Sequence, residues 1–337
     1  MKPRVLVVDD SAFARTVLSR VLRAGEIDVI GSARDGADAL EKIQELDPDV
    51  VTLDLTMPGV DGLDVLRALG GRPRPRVIVV SMSSIETEHG VEALALGAID
   101  LITKPTSLAS DRLTEISDEL VAKVTAAALG FEHAELAPPS RPKPVHVANS
   151  DLELVMIGTS TGGPQALTRV ITALPATLRT PIAMVLHIPV GYTEALAARL
   201  DKASALHVVE ASEGLELVPG MAVLARAGQH LMIRREGRAL IARLGTKPNG
   251  MFMPSVDELF KSGASAVGKH SLGIVMTGMG DDGLIGARAI AASGGALLTE
   301  AASSCVVYGM PRSVFEAGLG AQSVALDQIA GEIERRG

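Results

Sequence analysis

Short apolar runs alternate along the first part of the chain with stretches whose apolar residues recur every three or four positions. Val5–Val8 predicts a strand, and Ser11 caps a helix carrying Val17, Leu18, Val21 and Leu22 at helical spacing. Val29–Ala33 predicts a second strand, followed by a helix near Ala37–Leu46 that stops at Asp47-Pro48. Val50–Leu53 is a third strand, ending on Asp54, and the loop Thr56-Met57-Pro58-Gly59 leads to a helix near Leu63–Leu69. Val77–Val80, a helix over about Glu86–Leu96, the strand Leu101–Thr103 ending at Lys104-Pro105 and a long helix to about Leu129 complete the series. Five βα units of this length imply a parallel, doubly wound, flavodoxin-like sheet with its site at the carboxyl ends of the strands.

The pattern fails between about Gly130 and Asn149, where Pro138-Pro139-Ser140-Arg141-Pro142-Lys143-Pro144 reads as an extended, semi-rigid linker. A second, mostly parallel α/β pattern then runs to the C-terminus. Its strands are predicted near Leu154–Ile157, Ile182–Leu186, Ala222–Leu224, Leu272–Met276 and Ala296–Leu298. Ser255-Val256-Asp257-Glu258 has the form of a capping box opening a helix with Val256, Leu259 and Phe260 on one face. The expected organisation is a domain over 1–125, a linker over 126–150 and a second domain over 151–337.

Length and composition agree with two packed domains: 337 residues, 47% hydrophobic and 21% charged. No apolar run approaches the roughly 20 residues that span a bilayer, and the N-terminus lacks the apolar stretch of a signal peptide. The expected location is therefore the cytoplasm, without membrane insertion. The single cysteine, Cys305, excludes an internal disulfide and opens an apolar run, so a buried structural thiol is expected. A net charge of −8, with five phenylalanines, two tyrosines and no tryptophan, argues against nucleic acid as a partner.

Candidate chemistry in the first domain lies at strand ends. Asp9 and Asp10 follow the first strand, Asp54 the third, Ser81 ends the fourth and Lys104 the fifth. Carboxylates converging on one sheet edge repel one another unless a hard divalent cation sits among them, and Mg²⁺ suits oxygen ligands and a phosphate donor. Asp54 is then positioned as a carboxylate nucleophile for a phosphoryl group, with Lys104 and Ser81 to engage it. A single Asp after a strand is usually a loop or cap residue; this set at successive strand ends is not explained that way. Val5 to Ser11, Leu53 to Gly62 and Ile102 to Pro105 resemble the response-regulator receiver family. The resemblance implies phosphorylation of Asp54 by a partner histidine kinase. It also implies Mg²⁺ ligands at Asp9, Asp10, Asp54 and the Thr56 carbonyl, with Ser81 and Lys104 as the switch pair. Leu101 stands where the family often has an aromatic switch residue.

In the second domain, strand Leu154–Ile157 runs into Gly158-Thr159-Ser160-Thr161-Gly162-Gly163-Pro164 and a helix near Gln165–Ala173. This is G-x-S-x-G in the strand–turn–helix context of a nucleophile elbow. A glycine-rich turn can also cradle phosphate, but no G-K-[ST] ending follows and no ribose-binding acid stands about 20 positions on. A serine nucleophile needs a base; His187 directly follows strand Ile182–Leu186, with His207 and His230 as alternatives. The third member is a carboxylate in the loop after Leu272–Met276, either Asp282 or its neighbour Asp281. A non-catalytic adaptor and a nucleotide-binding regulator are the competing readings.

The segments Ile157 to Gly163, His187 to Thr193, Pro254 to Asp257, Thr277 to Gly283 and Ser304 to Pro311 resemble the bacterial chemotaxis protein-glutamate methylesterases of the CheB type. That resemblance implies Ser160 as nucleophile, His187 as general base, Asp282 as orienting acid and the Met279 N–H as an oxyanion donor, with no cofactor for ester hydrolysis. It implies demethylation of glutamate side chains on chemoreceptor cytoplasmic helices and deamidation of receptor glutamines. It also implies that the unphosphorylated receiver obstructs access to Ser160. Met251-Phe252-Met253 stands where the family usually carries basic residues.

Overall fold

The computed structural model describes residues 2–70, 74–82, 87–104, 117–128, 152–247 and 252–337. The chain divides into two compact units, Met1–Phe131 and Glu132–Gly337. Of the predicted linker over 126–150, all but the helical residues to 128 lies outside the described residues.

The first unit runs β1 (Arg4–Val8), α1 (Ala12–Ala24), β2 (Asp28–Ala33), α2 (Gly36–Leu46), β3 (Val50–Leu53), α3 (Gly62–Leu69), β4 (Arg76–Met82), α4 (Thr87–Ala95) and β5 (Asp100–Lys104). A last helix, α5, covers the described residues 117–128. The five strands lie parallel in the order β2-β1-β3-β4-β5. Helices cover both faces, which is why the central strands read as unbroken Val/Ile/Leu runs rather than as alternations. From β1 the chain steps out to β2 and returns to β3 on the other side. The switch point therefore falls between β1 and β3, where Asp9 and Asp54 emerge. The side chains of Ser11, Asp35 and Asp61 cap α1, α2 and α3, accepting the Ala14, Asp38 and Asp64 amides.

The second unit is built on a seven-stranded parallel sheet, β15-β14-β13-β6-β7-β10-β8. Its central strands are β6 (Leu154–Thr159), β7 (Ile182–Leu186) and β13 (Ser271–Val275). Flanking them are β10 (Met221–Leu224), β8 (His207–Glu210), β14 (Ala296–Glu300) and β15 (Gln322–Val324). The helices are α6 (Gly163–Ala173), α7 (Thr193–Ala203), α8 (Val256–Val267), α9 (Leu284–Ala292), α10 (Met310–Glu316) and α11 (Leu326–Arg336). The chain moves from β6 outward through β7, then returns to β13 on the opposite side, so a second switch point lies at the carboxyl end of β6.

Several elements go beyond the sequence reading. The edge strands β8 and β15 are short. A three-stranded antiparallel sheet, β11-β12-β9, forms from His230–Glu236, Ala239–Gly245 and Glu216–Leu217. Leu231, Ile233, Leu240 and Ala242 are buried in one core with Val256, Leu259 and Phe260 of α8. The exposed Arg234 and Arg235 and the half-buried Arg243 interrupt any apolar run, so only a short alternation, Leu231 and Ile233 against Leu240 and Ala242, marks these strands.

Candidate functional site

β6 ends at Thr159, and the chain turns through Ser160-Thr161-Gly162 into α6. Gly162 takes a φ of +80°, and a Cβ there would meet the Val306 side chain at 2.6 Å, so the turn needs glycine. The Ser160 N–H donates to the Thr277 carbonyl at 3.0 Å, tying this turn to the loop that follows β13. Thr159 pairs with Leu186 across β6 and β7, and the His187 N–H donates to the Thr159 carbonyl at 3.1 Å. Ser160 and His187 thus leave adjacent strand ends, whose ordinary separation is about 4.8 Å.

His187 Nε2 lies 2.9 Å from Asp282 Oδ2, while His187 Nδ1 is buried with no partner among the described residues. Asp282 is itself buried and heavily bonded. Its Oδ1 accepts from Ser255 Oγ at 2.9 Å and from the Asp257 N–H at 3.1 Å; its Oδ2 also accepts from the Val256 N–H at 2.7 Å. Burial pushes the carboxyl up. The His187 contact and the two amides outweigh it and hold Asp282 below its ordinary value. An ionised Asp282 makes Nε2 the protonated nitrogen and leaves Nδ1 with a free lone pair. Asp281, by contrast, is exposed, and its carbonyl accepts the Leu284 N–H. His207 pairs with Asp201 at an exposed edge, and buried His230 accepts the Ser255 N–H on Nδ1.

The predicted capping box is corrected by the same bonds. Ser255 stands at the N-cap of α8, but its side chain makes no cap bond. Its hydroxyl turns to Asp282, and the Asp282 carboxylate caps the helix from the loop after β13. Local S-x-x-E spacing could not reveal a cap supplied from 26 residues away.

That loop is pinned at several points. Thr277 N–H donates to Glu300 Oε2 at 2.8 Å, Thr277 Oγ1 to the Thr161 carbonyl at 2.9 Å, and Gly278 N–H to the Val307 carbonyl at 3.0 Å. A Cβ on Gly278 would meet Met310 Sδ at 2.4 Å and Ser160 Cβ at 2.8 Å, so only glycine lets the loop pass this close to the serine. The next residue is Met279, whose N–H has no acceptor among the described residues. An unspent amide beside a serine elbow is the element an oxyanion hole requires.

One neighbour of His187 belongs to the segment that stands where the family usually carries basic residues. Phe252 stacks on His187, its centroid 4.2 Å away and its plane 8° from parallel. In a chain with only five phenylalanines, its place before Pro254-Ser255-Val256-Asp257 was the available signal.

In the first unit, one carboxylate oxygen from each of Asp9, Asp10 and Asp54 falls within 4.8 Å of the others. Lys104 Nζ lies 2.7 Å from Asp9 Oδ2 and 2.5 Å from Asp54 Oδ2. Ser81 is buried at the end of β4, with its pairing partner in β5 one residue before Lys104. Burial raises Asp54 to about 6, with Lys104 acting against the rise and Asp9 adding to it. Three converging hard-oxygen donors, two of them buried, fit Mg²⁺ by donor type and count.

The family model described as CheB methylesterase matches residues 155–333, and that of the response regulator receiver domain matches residues 5–116. The chain belongs to the CheB methylesterase family. Protein-glutamate methylesterase/protein-glutamine glutaminase 5 of Myxococcus xanthus is 55% identical over 338 residues, spanning 98% of this chain and 97% of the relative. The protein-glutamate methylesterase/protein-glutamine glutaminase of Symbiobacterium thermophilum is 42% identical over 351 residues, spanning 98% and 96%. The crystal structure of the Thermotoga maritima CheB methylesterase catalytic domain matches with a TM-score of 0.53 at 34% identity. It covers 54% of this chain and 97% of that one. The mostly parallel α/β architecture expected for the second domain is thus that of a solved CheB catalytic domain. Among the described residues, no helix is long and apolar enough to cross a membrane.

Proposed function

We propose that the chain is a phosphorylation-activated hydrolase that removes methyl esters from glutamate side chains of chemoreceptors, releasing methanol, and that it deamidates receptor glutamines. The observation that carries this reading is the His187 Nε2–Asp282 contact at 2.9 Å, which leaves a buried Nδ1 without a partner among the described residues, on a residue whose N–H bonds the Thr159 carbonyl next to Ser160. Ser160 Oγ attacks the ester carbonyl as its proton passes to His187 Nδ1, and Asp282 stabilises the imidazolium. The Met279 N–H is the donor for the developing oxyanion. Collapse breaks the bond to the methoxy group, which leaves as methanol with the proton from His187. Water, deprotonated by His187, then hydrolyses the Ser160 ester and restores the serine. A glutamine side chain follows the same course with ammonia as the leaving group.

The proposed organisation is a receiver over 1–125, a linker over 126–150 and a catalytic domain over 151–337; family matches over 5–116 and 155–333 support it. In the receiver, Asp54 accepts a phosphoryl group from a histidine kinase. Asp9, Asp10, Asp54 and the Thr56 carbonyl would hold Mg²⁺, which supplies charge neutralisation for phosphoryl transfer when bound. Lys104 and Ser81 engage the product, and the output is adaptation in chemotaxis signalling in the cytoplasm. The test is methanol release from methylated receptor cytoplasmic fragments. Ser160→Ala is expected to lower turnover by on the order of 10⁶ with folding intact; a variant retaining a tenth of the wild-type rate would overturn the reading.

A further inference from the structure

α8 and α9 exchange caps. Asp282, at the entrance to α9, places its carboxylate on the first amides of α8. Asp257, in the first turn of α8, places Oδ1 on the Gly283 N–H at 3.0 Å and the Gly286 N–H at 2.7 Å, the start of α9. The helices meet here without space for a side chain on the α9 side. A Cβ on Gly286 would lie 2.5 Å from Phe260 Cβ and 3.0 Å from both the Asp257 Cα and carbonyl oxygen. The first residue that Asp257 grips, Gly283, is covalently next to Asp282. It takes a φ of +102°, which Asp257 holds through its N–H. Two carboxylates so close would ordinarily repel. Burial and the Asp282 charge do raise Asp257 above its ordinary value, opposed by the Gly286 amide, Lys261 and the Gly283 amide. Each carboxylate also receives the positive end of the opposite helix, which favours a negative group there.

We infer that Asp257 is a positioning residue for the Ser160–His187–Asp282 machinery: by holding the start of α9, it sets where the Asp282 carboxylate meets His187 Nε2. The inference rests on the catalytic reading above. Removing the grip frees the Gly283 and Gly286 amides and lets the Asp282-bearing turn shift. A misplacement of about 1 Å in a catalytic group costs on the order of 10²-fold in rate. Asp257→Asn keeps an oxygen acceptor for both amides and removes the charge; Asp257→Ala removes both.

The test is a double-mutant cycle on the full chain, read as methanol release, joined to proton NMR of the His187 Nε2–H. Asp257→Ala is expected to lower kcat about 10²-fold with KM little changed, and Asp257→Asn to regain most of that loss. Combined with Asp282→Ala, it should add less than about twofold, because the residue it positions is already gone. The downfield Nε2–H resonance should be lost or moved in Asp257→Ala and kept in Asp257→Asn. An equal loss from Asp257→Ala in both backgrounds, or an unmoved resonance, would reduce Asp257 to a structural cap and overturn the inference. If Asp282→Ala alone leaves the rate intact, the catalytic reading itself is wrong and the inference goes with it. If Asp257→Ala fails to fold, the asparagine variant decides: loss of its Nε2–H resonance overturns the inference, and retention supports it.

Discussion

Phe252 covers one face of the His187 imidazole, with the two rings 8° from parallel and their centroids 4.2 Å apart. The stack limits rotation of the ring whose Nε2 meets Asp282 and which, in the proposed mechanism, offers Nδ1 to Ser160. It also places a π face against the imidazolium that the proposed mechanism forms, an interaction worth about 1 kcal/mol. Phe252→Leu keeps apolar cover but removes the π face. Steady-state kinetics should show kcat reduced about fivefold, the equivalent of that energy, and Phe252→Tyr should recover it. An unchanged kcat in the leucine variant would mean that the stack only fills space.

The adjacent acids of the loop after β13 should behave very differently. Asp282 is buried with His187, Ser255 and two amides on its carboxylate, whereas Asp281 is exposed. Asp282→Asn offers the imidazole an amide in place of a charge and favours the wrong tautomer. The expected loss is on the order of 10⁴ in rate. Asp281→Asn should stay within about threefold of wild type in the same assay. A larger loss at 281 than at 282 would exchange their roles.

Glu300 predicts a pH dependence of stability. It is fully buried, and burial raises it from an ordinary 4.5 to about 7, with the Thr277 N–H acting against the rise. As pH climbs from 4.5 to 7 the unfolded chain releases this proton first. The folded state therefore loses stability across that range, by on the order of 3 kcal/mol, and levels off above it. Glu300→Gln has no proton to lose. The melting temperature of the glutamine variant should rise relative to wild type between pH 5 and 7.5. A constant difference between the two would show that Glu300 is ionised throughout.

For the first unit, the expectation concerns Asp54, which burial raises to about 6 while Lys104 pulls it back. A small-molecule phosphodonor with Mg²⁺ should add one phosphoryl group, detected by intact mass, and raise methanol release. Chelation should abolish both effects. Asp54→Asn should show neither, and phosphorylation persisting in that variant would move the acceptor elsewhere.

Much of this protein was legible in the linear sequence because its parallel strands are covered on both faces. Val5–Val8, Val50–Leu53 and Ile182–Leu186 must then be apolar throughout, and the residues ending them stand out against that background. Asp54, Lys104, Ser160 and His187 are visible for this reason. A doubly wound sheet further requires that such strand ends share one edge. Other features depended on contacts between segments distant in sequence. Asp281 and Asp282 carry the same chemistry in adjacent positions, and only the fold buries one with His187 and leaves the other exposed. Ser255 satisfies a local capping pattern, yet its hydroxyl and the amides of α8 go to Asp282, because a nearby carboxylate from another loop supplies a charge-assisted bond. The β11-β12-β9 sheet leaves little trace in the sequence because its arginines dilute the apolar signal. Phe252 had no partner in the sequence at all. Local residue order dictates which elements form and what emerges at their ends. Which of those emerging groups meet is decided by packing, since hydrogen bonds and stacking depend on separations of a few ångströms that sequence spacing does not encode.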